Sequence, residues 1–238
     1  MTIKAVLFDK DGTLIDFLGT FGPATFKVIE SLADGDEAMM HSLANASDFD
    51  LATLKVSPNS VLIAGSLEDI VRVFAPVLEQ DYSPSLLAQV DGLFVKHSTE
   101  SLAPFSFTET VLDELLNMNL TLGVATNDSE NGALAHLNKL KISDRFKFIV
   151  GYDSGHGAKP EPGMVTAFIN QFELQPEEIM MVGDSTHDLI AGRAASTVSV
   201  AVTSGEAEAG DLIPFADHVL ENISQLPALI RTLNESRS

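Results

Sequence analysis

The sequence predicts a doubly wound parallel α/β sheet with a small α-helical cap domain, and three observations carry that expectation. The apolar run Ala5-Val6-Leu7-Phe8 ends in Asp9-Lys10-Asp11-Gly12-Thr13, with polar residues beginning where a buried strand should end. From Thr108 onward helical and strand patterns alternate, which implies right-handed crossovers and helices on both faces of a parallel sheet. Between about Phe17 and Ala103 strand patterning is sparse and apolar residues recur at helical spacing. These patterns divide the chain into an α/β core, 1–16 and 104–238, and a helical cap, 17–103, inserted between two core segments.

Each element has a local reason. Within the insert, Ala24 to Leu32, Asp36 to Asn45, Leu67 to Leu78 and Pro84 to Lys96 carry the helical pattern, with Asp36, Ser66 and Ser83 as N-caps. The flanks Asp16 to Gly22 and Leu102 to Phe107 contain Gly or Pro and are candidate hinges. The core then reads as helix Thr108 to Met118, strand Thr121 to Ala125, helix Ser129 to Leu140 and strand Phe146 to Val150. A helix from Pro162 to Phe172, strand Ile179 to Val182, helix Thr186 to Ala195, strand Val198 to Val202 and a last helix Ile223 to Leu233 follow, with Asn234 to Ser238 expected to fray.

Composition narrows the partners. The 34 acidic residues against 14 basic ones give a formal charge of -20, which disfavours nucleic acid and anionic membrane surfaces. Neither a long apolar span nor an export signal is evident, and the absence of cysteine removes disulfide and thiolate chemistry. A cytoplasmic protein, monomer or homodimer, is expected. An anionic substrate would need a pocket that reverses this field locally with a lysine, a metal ion or a helix N-terminus.

Four polar clusters follow apolar runs. Asp9 and Asp11 can leave the Ala5-to-Phe8 strand on the same side, at the strand end where α/β sheets bind ligands, although Asp-x-Asp-Gly is also a common turn. Two carboxylates this close call for a bound cation or a raised pKa. Thr126-Asn127-Asp128 offers a hydroxyl and backbone N–H groups for an oxyanion, or simply an N-cap. Lys159, between Gly157 and Pro160, is fixed in a loop and placed to neutralise an anion. Asp184 ends another apolar run, with Asp188 one helical turn beyond it. Asp9, Asp11, Asp184 and Asp188 supply hard oxygen ligands without Cys or convergent His, a set that selects Mg2+. A metal, a lysine and a hydroxyl facing one crevice suit a phosphoryl group, with one carboxylate as nucleophile and a second as general acid and base.

In this order the clusters resemble the four motifs of the haloacid dehalogenase superfamily phosphatases, over essentially the whole chain. The resemblance implies that Asp9 is the nucleophile and Asp11 the acid/base. It further implies that Mg2+ is held by the Asp9 carboxylate, the Asp11 backbone carbonyl and Asp184, with Asp188 bound through water or hydrogen-bonded to Lys159. An insert between the first two motifs resembles the cap of the subfamily that includes phosphoglycolate phosphatase and beta-phosphoglucomutase. Gly65-Ser66-Leu67-Glu68 resembles its substrate-reading loop, which adds Gly65 and Ser66 to Thr126, Asn127 and Lys159 as expected substrate contacts. The chain departs from the pattern at Lys10, where an apolar residue is usual and which either lends positive charge or faces solvent, and at Phe17. The expected activity is Mg2+-dependent hydrolysis of a small phosphorylated metabolite through an aspartyl phosphate, with 2-phosphoglycolate the leading substrate. A phosphomutase and a non-catalytic binding protein of the same fold are the alternatives. Lys27, Lys55, Arg72, Lys96 and His97 are the candidate substrate-reading cations of the cap.

Overall fold

The computed structural model describes residues 2–57 and 60–235. Strand β1 (Ala5–Phe8) leads into α1 (Phe17–Ala33), α2 (Glu37–Ala46), β2 (Phe49–Asp50), β3 (Lys55–Val56), α3 (Val61–Ala64), α4 (Leu67–Val77) and α5 (Pro84–Glu100). Then come α6 (Thr108–Asn117), β4 (Thr121–Ala125), α7 (Glu130–Lys139), β5 (Phe148–Val150), α8 (Gly163–Phe172) and β6 (Ile179–Gly183). The chain closes with α9 (Thr186–Ala194), β7 (Val198–Val202), α10 (Ala209–Leu212), β8 (His218–Leu220) and α11 (Leu226–Glu235).

Six strands form one parallel sheet in the order β5-β4-β1-β6-β7-β8. All four residues of β1 are buried, and alternation sends Val6 and Phe8 into the apolar layer on one face and Ala5 and Leu7 into the layer on the other. Val6, Leu7 and Phe8 each contribute roughly 1.5–3 kcal/mol when fully buried, so the central strand is fixed from both sides. Phe8 lies opposite Val124 of β4 and Val182 of β6, which brings the carboxyl ends of the three central strands out together.

Helices α1, α2, α4 and α5 pack around a separate apolar cluster that includes Val28, Leu43, Phe74 and Val90. The chain crosses to these helices and back at adjacent points. Asp16 donates its N–H to the Ala103 carbonyl at 2.8 Å, and Ser101 Oγ donates to the Thr20 carbonyl at 2.7 Å. Asp36, Ser66 and Ser83 cap α2, α4 and α5 as their side chains predict.

Several boundaries differ from expectation. The first expected hinge, Asp16 to Gly22, is helical from Phe17, with Asp16 as the N-cap accepting from the Gly19 N–H. Glycine serves close packing there: a Cβ on Gly22 would stand 2.7 Å from the Leu54 carbonyl oxygen. The hairpin β2–β3, the short helices α3 and α10 and the edge strand β8 were not expected. Asn234 is not frayed, since its side-chain oxygen accepts the Ile3 N–H at 2.8 Å and α11 runs to Glu235; 236–238 lie outside the described residues.

Candidate active site

The candidate side chains follow directly from strand ends. Asp9 stands one residue after β1, Thr126 one after β4 and Asp184 one after β6, at a common edge of the sheet. Gly12, at φ 78°, makes the turn that follows Asp11. A Cβ at Gly12 would lie 2.3 Å from Asp184 Oδ2, so the turn and that carboxylate are pressed together.

Lys159 reaches this edge from the loop after β5, with its side chain 3% exposed. Its Nζ donates to Asp9 Oδ1 at 2.6 Å and to Asp188 Oδ1 at 2.5 Å. Asn127 fixes the lysine backbone from both directions: Nδ2 donates to the Lys159 carbonyl at 2.9 Å and Oδ1 accepts the Lys159 N–H at 2.8 Å. Asp188 also caps α9, since Oδ2 accepts from the Ser185 N–H at 3.0 Å and from Ser185 Oγ at 2.6 Å. Of the two placements left open for Asp188, the structure shows the hydrogen bond to Lys159. Thr126 is buried and its hydroxyl oxygen accepts the Asp128 N–H at 3.1 Å, which leaves the hydroxyl proton to be donated.

Burial pushes the Asp9 carboxyl up to about 7 against the opposing charge of Lys159. Asp184 is raised well above the usual carboxylate range by burial and then by the charges of Asp9 and Asp188. Burial works against the Lys159 charge, yet Asp188 and Asp9 outweigh it and hold the ammonium above the usual lysine range. One carboxylate oxygen from each of Asp9, Asp184 and Asp188 lies within 4.8 Å of the others. Of the three buried carboxylates, Asp9 and Asp188 share one ammonium, and among the described residues Asp184 forms no ion pair. That excess of negative charge on hard oxygen donors fits a divalent cation such as Mg2+. The side chain of Asp11 stands outside this cluster and is held elsewhere.

It is held by Lys10, whose burial the sequence left open and which is fully buried. Lys10 Nζ donates to Asp11 Oδ1 at 2.7 Å, pairs with Asp128 Oδ2 at 2.9 Å and lies 2.9 Å from His136 Nδ1. An ammonium offers only donors, so His136 Nδ1 must accept and Nε2 must carry the ring proton. That proton serves Ser98 Oγ of α5 at 2.7 Å, and the Ser98 hydroxyl donates to the Phe94 carbonyl at 2.6 Å. Burial and the adjacent Lys10 push His136 down to about 3, consistent with a neutral ring. Burial also raises the Asp11 carboxyl, despite the opposing charge of Lys10. The available signal was the number of acids around Lys10 in a chain of charge -20.

A cavity opens above this edge, lined by Asp9, Asp11, Thr126, Lys159, Asp184 and Asp188 below and by residues of α1, α3, α4 and α5 above. Gly65 lines it; Ser66 does not, and its hydroxyl donates to Asp69 Oδ2 at 2.7 Å within the cap of α4. Asn127 lines it as well, with its amide committed to the Lys159 backbone. Phe21 and His187 line it without having been singled out from the sequence, and Phe17, noted there only as a departure from the family pattern, lines it too.

Fold and site together define a protein of the parallel α/β class with an acidic, lysine-bearing pocket at the carboxyl ends of its central strands. Residues 30–202 match the family model described as haloacid dehalogenase-like hydrolase, and the chain belongs to that family. It is 30% identical to a phosphoglycolate phosphatase of Chromobacterium violaceum over 96% of this chain and 97% of that one. It is 26% identical to the pyrophosphatase PpaX of Oceanobacillus iheyensis, over 97% of this chain and 98% of the relative. A solved hydrolase from Pseudomonas syringae shares the fold at TM-score 0.68 and 19% identity, covering 96% of this chain and 98% of that one. Among the described residues no helix is long and apolar enough to cross a membrane.

Proposed function

We propose that this protein is a metal-dependent phosphatase that hydrolyses a small phosphomonoester through a phosphoryl group carried on Asp9. The supporting observation is the Lys159 ammonium, pinned by Asn127 and Asp188 against the Asp9 carboxylate at the strand end. An Asp9 oxygen attacks phosphorus and the bond to the leaving oxygen breaks, with Asp11 giving that oxygen its proton. The Asp11 carboxylate then takes a proton from water as the water attacks phosphorus, releasing phosphate and restoring Asp9. Burial of Asp11 favours the protonated form that the first step needs, and Lys10 fixes its orientation. Lys159 and the Thr126 hydroxyl supply positive charge and a donor to the phosphoryl oxygens. Asp9, Asp184 and Asp188, with the Asp11 backbone carbonyl, would hold Mg2+, which would supply further positive charge to the transferring group.

The test is hydrolysis of para-nitrophenyl phosphate with and without Mg2+ by the wild type and by Asp9→Asn. Metal-dependent turnover that Asp9→Asn abolishes is expected; turnover retained by the variant would overturn the reading. The substrate that gives the Chromobacterium relative its name, 2-phosphoglycolate, is the first natural ester to assay.

A further inference from the structure

The cavity has two unlike halves. Among the described residues its floor, from the core, carries every charged or titratable group of the lining: Asp9, Asp11, Asp128, Lys159, Asp184, His187 and Asp188. Its roof is formed by Phe17, Phe21, Leu62, Ile63, Leu67, Ile70 and Phe94, with Gly65 and one hydroxyl, that of Thr25. Phe17 and Phe21 stack with ring centroids 5.3 Å apart, and Phe17, Leu62, Leu67, Ile70 and Phe94 are buried. None of the five cap cations expected to read a substrate lines the cavity. Lys27 pairs with Glu30 at 2.7 Å, Arg72 lies over the Tyr82 ring at 4.3 Å, and His97 Nδ1 meets Glu100 at 3.0 Å. Lys55 and Lys96 are exposed.

We infer that the substrate's leaving group is apolar, a short alkyl or aryl alcohol esterified to phosphate, and carries no carboxylate. This rests on the phosphatase reading above. With the phosphoryl group held by Lys159 and Thr126 on the floor, the remainder of the ester projects into the roof. A carboxylate there would lose its water and meet aromatic and aliphatic side chains with no counter-charge, whereas a hydrocarbon group gains from the same contacts. Size bounds the group as well. The cavity volume is about 80 Å3, room for several waters and so for a phosphoryl group with a small hydrocarbon group.

The experiment compares kcat/KM for n-propyl phosphate and 2-phosphoglycolate, two alkyl esters of similar size that differ in charge, with phenyl phosphate and pyrophosphate beside them. Asp9→Asn serves as the blank. The wild type is expected to favour propyl phosphate over 2-phosphoglycolate by at least about tenfold, the unpaired carboxylate being the penalised group. Ile63→Lys, which places an ammonium in the half-buried part of the roof, is expected to reverse or erase that preference. A wild type that prefers 2-phosphoglycolate overturns the inference while leaving the phosphatase reading standing. Loss of every activity relative to the blank overturns the phosphatase reading itself.

Discussion

Replacing Lys10 by methionine keeps the apolar stem of the side chain and removes the ammonium that pairs with Asp11 and Asp128 beneath the cavity. Both carboxylates are more than four-fifths buried, with side chains 16% and 17% exposed, and they sit 2.7 and 2.9 Å from Nζ. Removing one partner of a buried pair costs about 3–5 kcal/mol, because the other charge is left without compensation. For a chain of this size that corresponds to a fall in melting temperature of roughly 6–20 °C, at about 2–4 °C per kcal/mol. The assay is thermal unfolding followed by circular dichroism, on Lys10→Met and on the double variant Lys10→Met/Asp128→Asn. The double variant removes the stranded Asp128 charge and is expected to recover a substantial part of the loss. A Lys10→Met protein melting within about 2 °C of wild type would refute the reasoning, since the buried ammonium would then contribute less than about 1 kcal/mol.

His136 provides a pH-dependent counterpart. Its folded pKa of about 3 lies below the ordinary 6.5, so this site's contribution is fully present above pH 6.5 and is lost as pH falls toward 3. Between pH 7 and pH 5 the wild type is expected to lose about 2 kcal/mol more than His136→Gln, whose amide can accept from Lys10 and donate to Ser98 without titrating. Urea unfolding at the two pH values measures this, and an unchanged gap between the proteins would contradict it. Lys159→Ala is expected to lower kcat by roughly 10²–10³-fold, as loss of one preorganised charge does; steady-state kinetics within about twofold of wild type would contradict it. EDTA should abolish activity and Mg2+ restore it, and stoichiometric zinc outperforming Mg2+ would contradict the all-oxygen ligand set.

Much of the core was legible because its signals are local. An apolar run ending in acid marks β1 and β6, and Ser or Asp before an amphipathic stretch marks the starts of α2, α4 and α5. Elements without periodicity escaped. Strands β2 and β3 have two residues each and β8 has three, too short for alternation to register. The start of α1 was obscured by Gly19, Gly22 and Pro23, which disfavour a helix locally; burial of Phe17, Thr20 and Ala24 outweighs them. In the site, the motif residues were readable from their spacing, but their secondary partners were not. Lys10 meets Asp128 and His136 across well over a hundred residues of sequence, and lysine is seldom buried unless paired. Asn127 read as a substrate contact because the segment after β4 and the Lys159 loop were each identifiable, while the clamp between them, 32 residues apart, was not. The apolar roof is likewise tertiary, since side chains from four helices meet there and no spacing rule orients them toward Asp9.

The most direct test of the account is to trap the phosphoryl group. The enzyme is mixed with phenyl phosphate and Mg2+, quenched in acid within the first turnover, digested and read by mass spectrometry. A phosphoryl group on the peptide containing Asp9, lost on treatment with hydroxylamine and absent in Asp9→Asn, is the predicted result. Turnover with no covalent phosphoryl group on the chain, or one attached to a residue other than Asp9, would contradict it.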